Sequence, residues 1–109
     1  MIEVREYVDE RGRSPFARWF ERLDANAAAR VRTALARMEA GNLSNVKSVG
    51  AGVQEDRIQT GPGFRVYFGL DGDRLIVLLG GGSKRRQQRD IEQARSLWRD
   101  YQRRKRREE

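Results

Sequence analysis

The stretch from residue 71 to residue 94 constrains this chain more than any other. It opens on Asp71-Gly72, a strong hairpin signal, and enters five consecutive apolar residues at 75–79. Three glycines follow (Gly80, Gly81, Gly82), then a basic cluster of Lys84, Arg85, Arg86 and Arg89 that opens a helical pattern on Ile91, Ala94, Leu97 and Trp98. A continuous apolar run bounded by turn signals reads as a strand buried on both faces, and therefore a central one. The glycines read as a flexible turn that delivers the backbone to a cationic helix N-terminus. There, free N–H groups, the positive end of the helix dipole and side-chain cations would converge on an anion, a phosphate above all.

The remaining elements fit around that strand. Residues 2–8 alternate apolar and polar side chains and predict a short strand with a slip at its end. Ser14-Pro15 is a helix start, with serine as N-cap and proline at the first helical position. Phe16, Trp19, Phe20 and Leu23 then form an apolar stripe. Asp24 is a second N-cap, followed by Ala27, Val31, Leu35 and Met38 at helical period, with Gly41 suited to the C-terminal end. These two segments predict a helical hairpin. Residues 53–60 read as a strand, Gly61-Pro62-Gly63 as a turn, 64–70 as a second strand and 74–79 as the third of a meander. The last helix is expected over about 85–101. The fold class is thus α+β: a small, mostly antiparallel sheet in the order β-α-α-β-β-β-α, with the hairpin and the C-terminal helix packed on it.

With 109 residues there is room for one domain and one modest core. We place the domain at 1–102 and read 103–109, RRKRREE, as a basic tail that frays for want of an apolar anchor. There is no cysteine, hence no disulfide and no thiolate chemistry, and no histidine, the commonest general base and metal ligand. The N-terminal residues are acidic and alternating, unlike a signal peptide, and no run reaches the roughly 18 apolar residues of a membrane span. A cytoplasmic setting, without membrane association, is the expectation. The net charge of +7 is uneven: the first 82 residues carry 12 basic and 11 acidic side chains, the last 27 carry 11 and 5. That asymmetry favours a nucleic acid or an acidic protein as partner. The plainer alternative is a solvated helix face that maintains solubility.

Four ordered segments carry a family likeness: Trp19; Gly52-Val53-x-Glu55-x-Arg57-Ile58; Gly63-Phe64-Arg65-Val66-Tyr67; and Gly81-Gly82-x-Lys84-x-x-Gln87-x-x-Asp90-Ile91-x-x-Ala94. With these, residues 2–101 resemble the RelE/ParE superfamily of bacterial toxins, and within it the HigB-like addiction-module killer branch also found in phages. The resemblance implies a RelE-like fold and a toxin held inactive by a cognate antitoxin, often one with a helix-turn-helix domain. It also implies an mRNA endonuclease that acts on the ribosome without metal or other cofactor. The ParE branch poisons DNA gyrase on the same fold, so fold alone does not decide between the two. An inactive, antitoxin-binding relic is the third possibility.

Metal-free RNA cleavage needs in-line attack by the 2′-OH, charge stabilisation on the phosphorane and departure of the 5′-oxygen. Arginine remains protonated and cannot be the base, but it clamps phosphate bidentately and stabilises the transition state. The expected catalytic set is Arg65 and Lys84, assisted by Arg57 and Arg85. Arg86, Arg89, Tyr67 and Gln87 are expected to bind RNA, and Glu55 or Tyr67 to handle the proton. Each has a structural alternative: Arg65 as an outward, solvated strand residue, and Gln87 and Asp90 as caps of the helix start. Trp19, Phe20 and Trp98 read as core. The hairpin turn accounts for Asp71 and Asp73 without a metal. Gln54 and Asp56 make the first meander strand more polar than the family pattern, as an edge or a shifted register would.

Overall fold

The computed structural model describes residues 2–59 and 61–108. In chain order the elements are β1 (Glu3–Glu6), α1 (Pro15–Glu21), α2 (Ala25–Glu39), β2 (Val46–Ser48), β3 (Val53–Arg57), β4 (Arg65–Asp71), β5 (Leu75–Gly82), a 3-10 turn (Lys84–Arg86) and α3 (Gln87–Glu108). They form one five-stranded sheet in the order β1-β5-β4-β3-β2. Only β1 runs parallel to its neighbour β5; the other pairings are antiparallel. The α+β architecture is as the sequence predicts, with one strand more than expected. β2 is three residues long and takes the sheet edge beyond β3, so the polar Gln54 and Asp56 lie in an inner strand.

The predicted helix starts are present. Ser14 Oγ accepts from the Ala17 amide at 3.0 Å and Asp24 Oδ1 from the Ala27 amide at 2.8 Å, each occupying a donor the first turn leaves free. The α1–α2 hairpin covers one face of the sheet, where Phe16, Trp19, Val31 and Met38 pack on Val66, Phe68, Ile76 and Leu78. α3 covers the other, with Ile91, Ala94 and Trp98 on Val53, Tyr67, Val77 and Leu79. β5 is accordingly buried on both faces along 76–79.

The three glycines are not a flexible turn. They continue β5, and they fit because helices press on the strand there. Between the pairs Phe68↔Leu78 and Tyr67↔Gly80 the ladder slips by one residue, leaving Leu79 as a bulge. Past the bulge, a Cβ on Gly81 would fall well inside 3.0 Å of the Trp19 ring, and one on Gly82 would collide with the Asp90 carboxylate. Glycine is required at both for close approach. β1 accompanies β5 only from Leu75 to Leu78, so beyond that point no strand among the described residues pairs with this edge.

Two further boundaries differ. β3 ends at Arg57, and the predicted last residue of that strand, Thr60, lies outside the described residues. At the C-terminus the helix continues to Glu108 instead of fraying at Arg103. Polar anchors substitute for apolar ones: Arg104 donates to the Val8 carbonyl at 2.7 Å and lies over the Tyr7 ring, and Lys105 pairs with Asp71. Glu109 lies outside the described residues. Among the described residues no helix is long and apolar enough to cross a membrane.

Candidate functional site

The antiparallel register of β3 and β4 sets Arg57 opposite Arg65 and Glu55 opposite Tyr67, while β2 brings Lys47 opposite Glu55. The outcome is a charge cluster with Glu55 at its centre. That side chain is 0% exposed. Its Oε1 has Arg57 Nε at 3.5 Å and Lys47 Nζ at 3.9 Å; its Oε2 has Arg65 Nε at 3.6 Å and accepts a hydrogen bond from Gln87 Nε2 at 2.8 Å. A carboxylate taken out of water is tolerable only when opposite charges and donors surround it. Here three cations, from three strands, do so. The ion-pair distances exceed direct hydrogen bonds, and neither Glu55 Oε1 nor Arg65 Nε has a hydrogen-bond partner among the described residues.

Arg65 is not the outward, solvated residue its β-rich surroundings allow. It is 5% exposed, and its Nη1 donates to the Gly63 carbonyl at 2.6 Å. Gly63, at φ +66°, lies two residues before Arg65, the first residue of β4 and the one that pairs with Gly82 at the end of β5. A Cβ on it would stand 3.4 Å from both Arg65 Nη1 and Lys84 Cβ, and the Lys84 amide donates to the Pro62 carbonyl at 3.3 Å. Lys84 is exposed beside the buried guanidinium, with Arg57 half exposed on the neighbouring strand. Three of the expected cations, Arg57, Arg65 and Lys84, therefore share one end of the sheet.

The other expected residues are placed differently. Gln87 is half-buried and its amide is committed to Glu55. Glu55 lies behind its cations, in a position to orient them and not to touch a substrate. Tyr67 is 0% exposed; its ring belongs to the core under α3 and offers no stacking face. Burial, together with the nearby Glu55 and Asp90 carboxylates, pushes its hydroxyl well above the usual tyrosine value, so it stays protonated. Arg85 is exposed. Arg86 and Arg89 face away from the Glu55 cluster, into a cleft of about 340 Å³ between α1 and α3 that Arg18 and Arg22 border from the other side. Lys47, Arg18 and Arg22 escaped the sequence reading. Lys47 sits in a strand too short to show alternation, and the two arginines look like ordinary solvated helix positions.

A family model of phage-derived Gp49-like proteins matches residues 18–99, from α1 through most of α3. The chain belongs to the Gp49-like family. A protein of Haemophilus influenzae, described only as uncharacterized, is 39% identical over 83 residues, which is 75% of this chain and 84% of that one. Gp49-like proteins are phage-derived addiction-module killers, so the family character is that of a toxin with an antitoxin partner. In this Gp49-like chain the matched span takes in the whole Glu55 cluster and Lys84.

Proposed function

We propose that this Gp49-like protein is the toxin of a toxin–antitoxin module, of the RelE/HigB kind, and that once free of its antitoxin it cleaves mRNA without a metal. One observation carries the reading: Arg57 and Arg65 are held by a fully buried glutamate at one end of the sheet, with Lys84 beside them next to Gly63. A buried anion that holds guanidinium groups in fixed orientation is pre-organisation. Cations positioned before the reaction stabilise the developing charge of a phosphorane with no reorganisation at the moment of attack. Arg65, fixed by Glu55 and the Gly63 carbonyl, is the rigid member. Arg57 and Lys84 are the exposed ones that meet the non-bridging oxygens, with Arg85 beside them.

The reaction is attack of the 2′-oxygen on the adjacent phosphorus, release of the 5′-oxygen, and a 2′,3′-cyclic phosphate on the upstream fragment. The chain has no histidine, Glu55 is enclosed, and the Tyr67 hydroxyl keeps its proton. Proton transfer at this site is therefore weak, and alignment must supply the rate. A ribosome that holds the mRNA in line would contribute several kcal/mol of orientation. In this reading the ribosome is the second partner and the antitoxin the first.

The test is brief induction without antitoxin, with mRNA 5′ ends mapped and DNA supercoiling followed in parallel. Codon-phased cuts in translated frames, lost in Lys84→Ala, are the expected result. Lys84 is exposed, so its removal leaves the fold intact. Uncut mRNA with altered supercoiling would refute the reading in favour of gyrase inhibition.

A further inference from the structure

The cleft between α1 and α3 adjoins the Glu55 cluster through Tyr67 and has its own construction. Four arginines stand on its rim, Arg18 and Arg22 from α1 and Arg86 and Arg89 from the other wall. All four are exposed, and among the described residues none of their side chains makes an ion pair or hydrogen bond within the chain. The floor is the end of β5 at Gly80 and Gly81, where β1 no longer covers the strand edge. Where a Cβ of Gly80 would stand there is open space. One polar atom of the lining, Asp90 Oδ2, is buried and has no hydrogen-bond partner among the described residues, while the Tyr67 hydroxyl beneath it lies next to Glu55. Buried polar atoms are almost always partnered, so an orphaned carboxylate oxygen in a cleft asks for a donor. The volume lies at the small end of the range of about 300–1,000 Å³ for ligand sites.

We propose that this cleft holds one nucleotide of the RNA next to the cutting site, its phosphate on the arginine rim and its base edge on the Asp90 carboxylate. The inference rests on the reading of the protein as an RNA-cutting toxin and adds a specificity subsite to it. The division of charge selects the ligand. A nucleotide keeps its anion apart from its base, so the phosphate meets the rim while base amino and imino donors reach the Asp90 carboxylate. An acidic peptide would bring its carboxylate against that of Asp90 once it went deeper than the rim. The 3-10 turn Lys84–Arg86 joins the two sites: Lys84 serves the cutting end and Arg86 the cleft, which gives a continuous basic track for a single strand.

The full chain is titrated with uncleavable 2′-O-methyl hexaribonucleotides of each base, from 0.05 to 0.3 M salt, by fluorescence anisotropy. Arg18→Ala/Arg22→Ala changes only exposed side chains. Loss of the rim's hold on that one phosphate should lower the slope of log K against log salt by up to about 0.7, the value per neutralised phosphate for a single strand, with affinity at least tenfold weaker. Asp90→Asn should keep the slope and change the ranking of the four oligonucleotides. An unchanged slope and affinity in the double variant would overturn the proposal. So would a normal slope accompanied by lost affinity for the antitoxin, which would make the rim a protein-binding surface. An unchanged ranking in Asp90→Asn would overturn base recognition at the floor. Codon-phased cuts in cells, with unaltered RNA binding by the double variant, would leave the cutting reading standing while this inference fell. Absence of cuts and of RNA binding by the wild type would remove both.

Discussion

Glu55 is the residue on which the candidate site depends, and its replacement by glutamine tests the arrangement most directly. The substitution keeps shape and can preserve a contact with Gln87, but removes the charge that three cations share. Their losses are unequal. Lys47 and Arg57 have side chains 51% and 52% exposed and can turn to water, so each pairing is worth no more than a surface ion pair, about 0–1 kcal/mol. The Arg65 side chain is 7% exposed and keeps only its bond to the Gly63 carbonyl. Removing one partner of a buried pair costs about 3–5 kcal/mol. With a neutral acceptor left in place, we expect the low end, about 3 kcal/mol, a large share of a stability that for domains of this kind is about 5–15 kcal/mol.

The assay is urea unfolding, read as a fall in midpoint at constant slope. Lys47→Ala, the exposed control, should lose under about 1 kcal/mol. Arg65→Met should cost less than Glu55→Gln, because Glu55 would keep Lys47, Arg57 and Gln87. The double variant Glu55→Gln/Arg65→Met should then be more stable than the sum of the single losses requires, as it strands neither charge. A Glu55→Gln protein within about 0.5 kcal/mol of the wild type would refute the reasoning, and so would strict additivity in the double variant. Either would mean that the carboxylate is not what holds Arg65.

Three more outcomes follow from the same structure. Gly81→Ala should lose about 1–3 kcal/mol by overpacking against Trp19, whereas Gly80→Ala, with open space at its Cβ, should be near neutral; thermal unfolding of the pair separates them. Deleting residues 103–109 should cost about 1–2 kcal/mol, the sum of weak terms from the Arg104 ring contact and the Asp71 and Asp100 pairs, and an unchanged midpoint would show the tail to be dispensable. Asp56, buried on the α2 side of β3, has its carboxyl pushed up to about 6 by burial, against a smaller opposing pull from Arg37. Because the folded value lies above the unfolded one, the native state binds more protons and stability falls as pH rises from about 4 to 6, by at most about 3 kcal/mol. Asp56→Asn should abolish that slope and be the more stable form at pH 7, which a urea midpoint measured against pH would check.

What could be read in the sequence was what local chemistry decides. The two N-caps, the Asp71-Gly72 hairpin and the doubly buried β5 each depend on neighbours within a few residues, and each is where it was expected. What could not be read depends on approach between distant elements. A glycine needed for a turn and a glycine needed because a tryptophan presses on the strand are the same letter. Gly81 and Gly82 therefore read as a flexible turn in the sequence, and only Trp19 of α1 and Asp90 of α3, pressed on the strand, show the close approach. Arg65 is the clearest case. Its strand neighbours allow either face, and only the β3–β4 register, which sets Arg57 opposite Arg65 and Glu55 opposite Tyr67, shows that the side chain points inward at a buried anion. The same register makes Tyr67 a core residue and Glu55 an organiser of cations, where the sequence alone allows both to meet substrate. Likewise, the basic run at 84–89 looked like one cluster. A 3-10 turn followed by helix sends Lys84 to one side and Arg86 and Arg89 to the other, so one run of charge serves two sites.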